Sequence, residues 1–212
     1  MINSNNDLEQ YLLDHTTPID EVLQELIRHT HLTEFNPRML SGEIQGKFLE
    51  FLCLMLKPHR VLEIGTFTGF ATICMARALP EKSIIDTIEV NDELLDTIVT
   101  FLSKAGVSHK VNPHFGDACQ IIPYLGNSYD LVFIDGDKRE YTEYYNLVFP
   151  FVKNGGYIIA DNVLWNGKVL DKNSTDVQTL EILKFNNTVQ NDERVENILL
   201  PLRDGLMLIR KL

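Results

Sequence analysis

The sequence predicts a doubly wound α/β fold preceded by a run of helices. Three observations predict it. Five short apolar runs, at 60–64, 83–90, 110–115, 129–135 and 156–161, are apolar on both sides and do not alternate with polar residues. Helical spacing fills the gaps between them, near 69–79, 92–105, 118–124 and 140–152. The first 55 or so residues carry helical spacing only. Strands apolar on both faces and separated by helices make a parallel sheet covered on both sides.

The elements follow in order. Leu8, Tyr11 and Leu12 recur at helical spacing, and Val22, Leu23, Leu26 and Ile27 do so after Pro18, a residue suited to a helix start. Ser41-Gly42-Glu43-Ile44 opens a third helix through Phe48, Leu49, Phe51, Leu52 and Leu56, and Pro58 stops it. The five strands and their helices come next. A last helix near 175–189 precedes two closing strands, about 195–200 and 205–210, with Asp204-Gly205 as the turn between them. The final strand is therefore expected to run antiparallel. We expect one domain over 1–212, with a helical cap at 1–57 and the sheet domain at 58–212.

Composition narrows the function. The chain has 212 residues, with 19 basic and 30 acidic side chains and a net charge of −11. Such acidity is a poor match for a phosphate backbone or an anionic membrane surface. No apolar run reaches the length of a membrane-spanning helix. Met1-Ile2-Asn3-Ser4-Asn5-Asn6-Asp7 shows neither the basic region nor the apolar stretch of a signal peptide. Cys53, Cys74 and Cys119 are odd in number and sit in apolar surroundings, which reads as reduced core thiols of a cytoplasmic protein.

Chemistry gathers at the strand ends. The first strand runs into Gly65-Thr66-Phe67-Thr68-Gly69, and a helix follows at once. Glycines there permit a tight turn and close approach of a ligand. Glu89 ends the second strand 24 residues past Gly65, near the spacing at which an acid holds ribose hydroxyls. A dinucleotide loop needs G-x-G-x-x-G, but here the third position is Phe67 and the loop holds no Lys or Arg. That argues against a pyrophosphate and favours a nucleoside such as S-adenosylmethionine, with its adenine near Asp117-Ala118. The alternative is that the glycines only shape the turn and Glu89 caps the next helix. Asp135 ends the fourth strand and Asp161-Asn162 the fifth, so the three should converge at the ligand edge. Oxygen donors alone select a hard cation, Mg²⁺, Ca²⁺ or Mn²⁺. Helix capping by all three is the competing explanation.

The sequence resembles the cation-dependent class I O-methyltransferases, the group of caffeoyl-CoA and catechol O-methyltransferases. The resemblance runs from about Met39 to the C-terminus. It rests on Gly46-Lys47-Phe48-Leu49, on Leu62-Glu63-Ile64-Gly65-Thr66-Phe67-Thr68-Gly69-Phe70, on Phe133-Ile134-Asp135-Gly136-Asp137-Lys138, on Ala160-Asp161-Asn162-Val163-Leu164-Trp165, and on Leu200-Pro201-Leu202-Arg203-Asp204-Gly205-Leu206. It implies a Rossmann-like sheet of order 3-2-1-4-5-7-6 with strand 7 antiparallel, S-adenosylmethionine as donor, and a homodimer. It implies a cation held by Asp135, Asp161 and Asn162. Met39, Glu63, Gly65, Thr66, Phe67, Thr72, Glu89, Val90, Asp117, Ala118 and Asp135 are the donor-site candidates. Lys138 sits where the family's candidate catalytic lysine sits, with Asp135 as its catalytic partner, and Arg38, Leu40, Lys138 and Trp165 are acceptor-site candidates. Where the family often has Ser to hold the donor's carboxylate, this chain has Ala71-Thr72, so Thr72 or backbone amides must serve. Gly136 replaces a usual Ala.

The implied reaction is methylation of a catechol-type phenol such as a caffeoyl or flavonoid compound. Two rivals are a transfer-RNA hydroxyuridine O-methyltransferase, which the net charge disfavours, and a non-catalytic nucleoside-binding protein, which the intact set of acids disfavours.

Overall fold

The computed structural model describes residues 4–212; the first three, part of the N-terminal stretch read above, lie outside the described residues. Helices α1 (Ser4–Asp14), α2 (Glu21–Thr33) and α3 (Glu43–Leu56) come first. Asp20 caps α2 by accepting the Leu23 N–H at 3.0 Å. α3 ends at Lys57, which takes the left-handed conformation just before Pro58. α3 lies hard against α4 (Phe70–Ala78) because Gly46 has no side chain: a Cβ there would come within 2.6 Å of the Phe70 ring and 2.8 Å of Cys74 Sγ.

Seven strands follow: β1 (Arg60–Ile64), β2 (Ile84–Glu89), β3 (Val111–Phe115), β4 (Tyr129–Ile134), β5 (Val152–Asp161), β6 (Val195–Leu200) and β7 (Leu206–Lys211). Their order is β3-β2-β1-β4-β5-β7-β6, as the resemblance implies. The first five pair in parallel, and β7 runs antiparallel to both β5 and β6. The order reverses at β1 and β4, so the crevice between their C-terminal ends is the place where such sheets bind ligands. The remaining helices are α5 (Leu95–Lys104), α6 (Ala118–Ile121), α7 (Tyr141–Val148) and α8 (Val177–Gln190).

The doubled apolar character of the strands is explained by two cores. Val61, Ile85, Leu131, Phe133 and Ile159 pack with Leu26, Leu49, Ile73 and Ile98 on one face. Leu62, Ile64, Val132, Ile134 and Ile158 pack with Tyr141, Tyr145 and Phe185 on the other. Neighbouring strand residues point to opposite faces, so both sets must be apolar.

The structure differs from the expectation in two places. The helix expected over 140–152 stops at Val148, a 3-10 turn covers Phe149–Phe151, and β5 starts at Val152 rather than at 156. Tyr129 pairs with Val152 but Leu131 pairs with Tyr157, so an irregularity around Gly155 (φ 77°) hides the strand's start behind turn-forming residues. Cys53 and Cys74 are buried free thiols as expected, but Cys119 is only half-buried, because it sits at the first turn of the short α6. No helix among the described residues is long and apolar enough to cross a membrane.

Candidate active site

The C-terminal edge of the parallel strands is marked by its backbone. Phe67, Asn162, Trp165, Asn166 and Arg203 all have φ between 49° and 58°, and all lie in loops or in the kinked 3-10 segment Trp165–Leu170 at this edge. Residues other than glycine seldom adopt this conformation, and they gather where a site over-determines the chain. Gly65 (φ 95°) is required for another reason: a Cβ there would lie 2.3 Å from the Asp135 carbonyl oxygen. It lets the ends of β1 and β4 touch.

Glu63 is the last inward-facing residue of β1 before that glycine, and it is fully buried. Its Oε2 accepts from the Thr72 hydroxyl at 2.5 Å and the Thr87 hydroxyl at 2.6 Å. Its Oε1 is buried with no partner among the described residues. Burial, opposed by the two threonines, pushes the Glu63 carboxyl up to about 8. Thr66 joins the same network through Thr87 at 2.5 Å. Thr72 thus supports Glu63 through its hydroxyl. Glu89 is also tied to the glycine loop: Oε2 accepts the Phe67 N–H at 2.7 Å, and Oε1 accepts the Asn91 N–H at 3.0 Å. It does not cap the next helical turn, because Asn91 does.

The acids at β4 and β5 form a second group. Lys138 is buried beside Asp135, and its Nζ donates to Asp135 Oδ1 at 2.8 Å, to Tyr141 Oη at 2.7 Å and to the Gly136 carbonyl at 3.2 Å. Burial pushes the Asp135 carboxyl up to about 6, the like charge of Asp161 adds to this, and Lys138 opposes it. Tyr141 also donates to the Asp161 carbonyl at 2.9 Å. Asp161 accepts the Asn162 N–H on Oδ1 at 2.7 Å and the Gln45 side-chain amide on Oδ2 at 2.6 Å. None of Asp135, Asp161 and Asn162 caps a helix: Asp137 caps the turn at Lys138–Glu140, and Leu164 holds the corresponding place before Trp165–Leu170. The capping explanation therefore fails at these positions.

The other expected residues are more scattered. Asp117 caps α6 through the Cys119 N–H at 2.8 Å, with Ala118 buried behind it. Val90 is three-quarters exposed. Arg38 and Met39 are exposed in the turn before α3, whereas Leu40 is buried and its carbonyl accepts from Arg203 at 3.2 Å. Trp165 is half-buried, with Nε1 donating to Asp176 at 3.4 Å. Beside it a groove of about 510 Å³ is lined by Leu164, Val169, Leu170, Arg203 and Asp204, among others. The turn of the last hairpin is strapped to this segment, since Val163 and Leu164 donate to the Gly205 and Asp204 carbonyls at 3.1 and 2.8 Å.

Sequence reasoning missed Gln45, Tyr141, Thr87 and Arg203 as members of the site. Only Gln45 leaves a visible signal. It stands at helical spacing with Leu49 and Leu52, a polar residue in an otherwise apolar stripe.

This sheet order, with a glycine turn and paired carboxylate groups at the switch point, defines the class I methyltransferase architecture. The model of the O-methyltransferase family matches residues 14–212, and the chain belongs to that family, in its caffeoyl-CoA O-methyltransferase-like part. A Dictyostelium discoideum protein named "Probable caffeoyl-CoA O-methyltransferase 2" is 33% identical over 217 residues, covering 100% of this chain and 94% of that one. The O-methyltransferase TomG of Streptomyces achromogenes, solved in complex with SAM, superposes with a TM-score of 0.90 at 29% identity, over 100% of this chain and 99% of the other. A Bacillus cereus O-methyltransferase in complex with SAH gives 0.92 at 27% identity, over the whole of both chains.

Proposed function

We propose that the chain transfers a methyl group from S-adenosylmethionine to one hydroxyl of a vicinal dihydroxy aromatic compound, with a divalent cation at Asp135, Asp161 and Asn162. The observation that carries the reading is the union, at one sheet edge, of an oxygen-only donor set with a buried lysine beside the glycine turn. The residues fit both groups. Glu63 Oε1 is a buried acceptor without a donor, which suits an ammonium such as the amino group of a methionine moiety. Glu89 at the end of β2 suits ribose hydroxyls. Asp135 and Asp161 repel one another, and carboxylate and amide oxygens are what a hard cation binds. When bound, the donor supplies a methyl on a positively charged sulfur, and the cation supplies Lewis acidity towards a phenol oxygen.

The chain's own residues then have distinct tasks. A phenol, with a usual pKa of about 10, keeps its proton at neutral pH, so the acceptor hydroxyl needs a base. Lys138 Nζ is the nitrogen in place. In the structure it donates to three acceptors, so it can accept the acceptor's proton only after one of its own protons has left to solvent and freed a lone pair, at the cost of one of these contacts. Tyr141 keeps Nζ in the site meanwhile. Trp165 and Leu40 supply apolar walls, the groove along Leu164–Leu170 gives an aromatic acceptor room, and Arg38 stands at its rim. By the same reading, 1–57 caps 58–212 in one methyltransferase unit that works as a cytoplasmic homodimer.

The test is a methylation assay on catechols with and without chelator. Activity lost in excess EDTA and restored by Mg²⁺ is expected; full activity in chelator would remove the cation. Lys138→Met should lower turnover about 10²- to 10⁴-fold while donor affinity holds, and undiminished turnover would remove the base. Sedimentation velocity checks the dimer.

A further inference from the structure

Gln45 lies on α3, in the cap, yet it reaches the heart of the sheet edge. It is fully buried. Its Nε2 donates to Asp161 Oδ2 at 2.6 Å, and its Oε1 accepts from Arg203 Nη1 at 3.1 Å. Arg203 Nη2 in turn donates to the Leu40 carbonyl at 3.2 Å. Three segments distant in sequence thus meet through one amide: the turn before α3, the end of β5, and the β6–β7 turn. Arg203 holds a left-handed backbone there (φ 49°).

The chemistry of the two partners decides how that amide must sit. A guanidinium offers donors only, and a carboxylate offers acceptors only. Between them the amide can satisfy both in one orientation alone, oxygen to Arg203 and nitrogen to Asp161. Arg203 therefore fixes the direction of Gln45, and Gln45 fixes the rotamer of Asp161. Asn162 N–H holds the other oxygen at 2.7 Å, so the carboxylate is gripped on both sides. Each carboxylate oxygen keeps a further lone pair for another partner. A Lys or Arg in the place of Gln45 would bring a competing positive charge against Asp161. The neutral amide passes on the orienting effect of Arg203 without that charge.

We propose that Gln45, oriented by Arg203, is a positioning residue that presets Asp161 as a cation ligand, so that the N-terminal cap is part of the cation site. The inference rests on the cation reading above. Residues that hold a metal ligand by hydrogen bonding are worth about ten- to a hundredfold in metal affinity. Gln45→Met keeps length and burial but removes both the donor and the acceptor.

The experiment is calorimetric titration of MgCl₂ into metal-free protein, with S-adenosylhomocysteine titrated separately. Wild type should bind one Mg²⁺. Gln45→Met should bind it about tenfold or more weakly, with S-adenosylhomocysteine affinity unchanged, because Glu63 and Glu89 are untouched. Arg203→Lys keeps the charge but loses the fork, and should weaken Mg²⁺ in the same direction by less. It carries the test if Gln45→Met does not fold. A metal-free readout completes the set: melting temperatures of Gln45→Met, Asp161→Asn and the double variant should be non-additive. Wild type that binds no Mg²⁺ overturns the cation reading and this inference with it. Wild type that binds Mg²⁺ while both variants match it, or melting shifts that simply add, overturns the inference alone.

Discussion

Two buried carboxylates stand one residue apart in the register of the sheet, on opposite faces, and they are treated in opposite ways. Asp86 on β2 lies beside Leu62, and Glu63 on β1 lies beside Thr87. Asp86 accepts from Arg60, Asn112, His114, Asn127 and Tyr129, at 3.1–3.4 Å. Glu63 has two threonine hydroxyls on one oxygen and, among the described residues, nothing on the other. The first is a finished knot that joins the start of β1, β2, β3 and the start of β4. The second is an unfinished one, at the end of the sheet where a ligand enters. Burial alone therefore does not mark function; the count of partners left over does.

Four expected outcomes would break or sharpen this contrast. The largest concerns the finished knot. Asp86→Ala leaves five donors around a cavity and should cost about 3–5 kcal/mol in urea unfolding, with S-adenosylhomocysteine affinity unchanged in the folded fraction. A small loss would mean that water replaces the carboxylate and that Asp86 holds little together.

Next comes pH. Glu63 has its ordinary value of 4.5 when unfolded and about 8 when folded. The native state thus binds the proton more tightly, and the stability this gives is full below about 4.5 and lost as pH rises through about 8. The metal-free, donor-free protein should lose on the order of 3 kcal/mol between pH 5 and 8 from this group. Glu63→Gln should flatten that slope, as read by urea unfolding across the range. An unchanged slope would assign it elsewhere.

The same variant tests what the spare oxygen is for. Glu63→Gln should weaken S-adenosylmethionine about ten- to a hundredfold, the worth of one hydrogen bond to a charged group. Equal affinity by calorimetry would show that Oε1 faces no ammonium. The smallest effect is that of Thr72→Val, at about 1 kcal/mol. It should also move the levelling-off of stability to higher pH, since Thr72 opposes the rise in Glu63.

Much of this was readable before the structure, and the contrast shows why. Glu89 was readable from its spacing to the glycine turn at Gly65, whereas Glu63 was named only through the family resemblance. The oxygen donors Asp135, Asp161 and Asn162 were readable because each stands at the end of an apolar strand. Asp86 was not readable, because its donors come from 60, 112, 114, 127 and 129, with nothing local to link them. Gln45 and Arg203 meet across most of the chain, brought together by the packing of α3 against α4 through Gly46 and by the bond from Arg203 to the Leu40 carbonyl. The early start of β5 was hidden because Lys153, Asn154 and Gly155 have the chemistry of a turn.

The β6–β7 hairpin has a consequence for the order in which the molecule can be assembled. β7 is reached last in the chain, yet it lies between β5 and β6 and carries the preceding turn that straps Val163 and Leu164. Until it arrives, the outer edge of β5 stays an open template for wrong pairing. On the ribosome, Gln45 and Asp161 are therefore synthesised before Arg203, which orients them. A nascent chain holds Asp161 before it holds the turn that fixes the direction of Gln45.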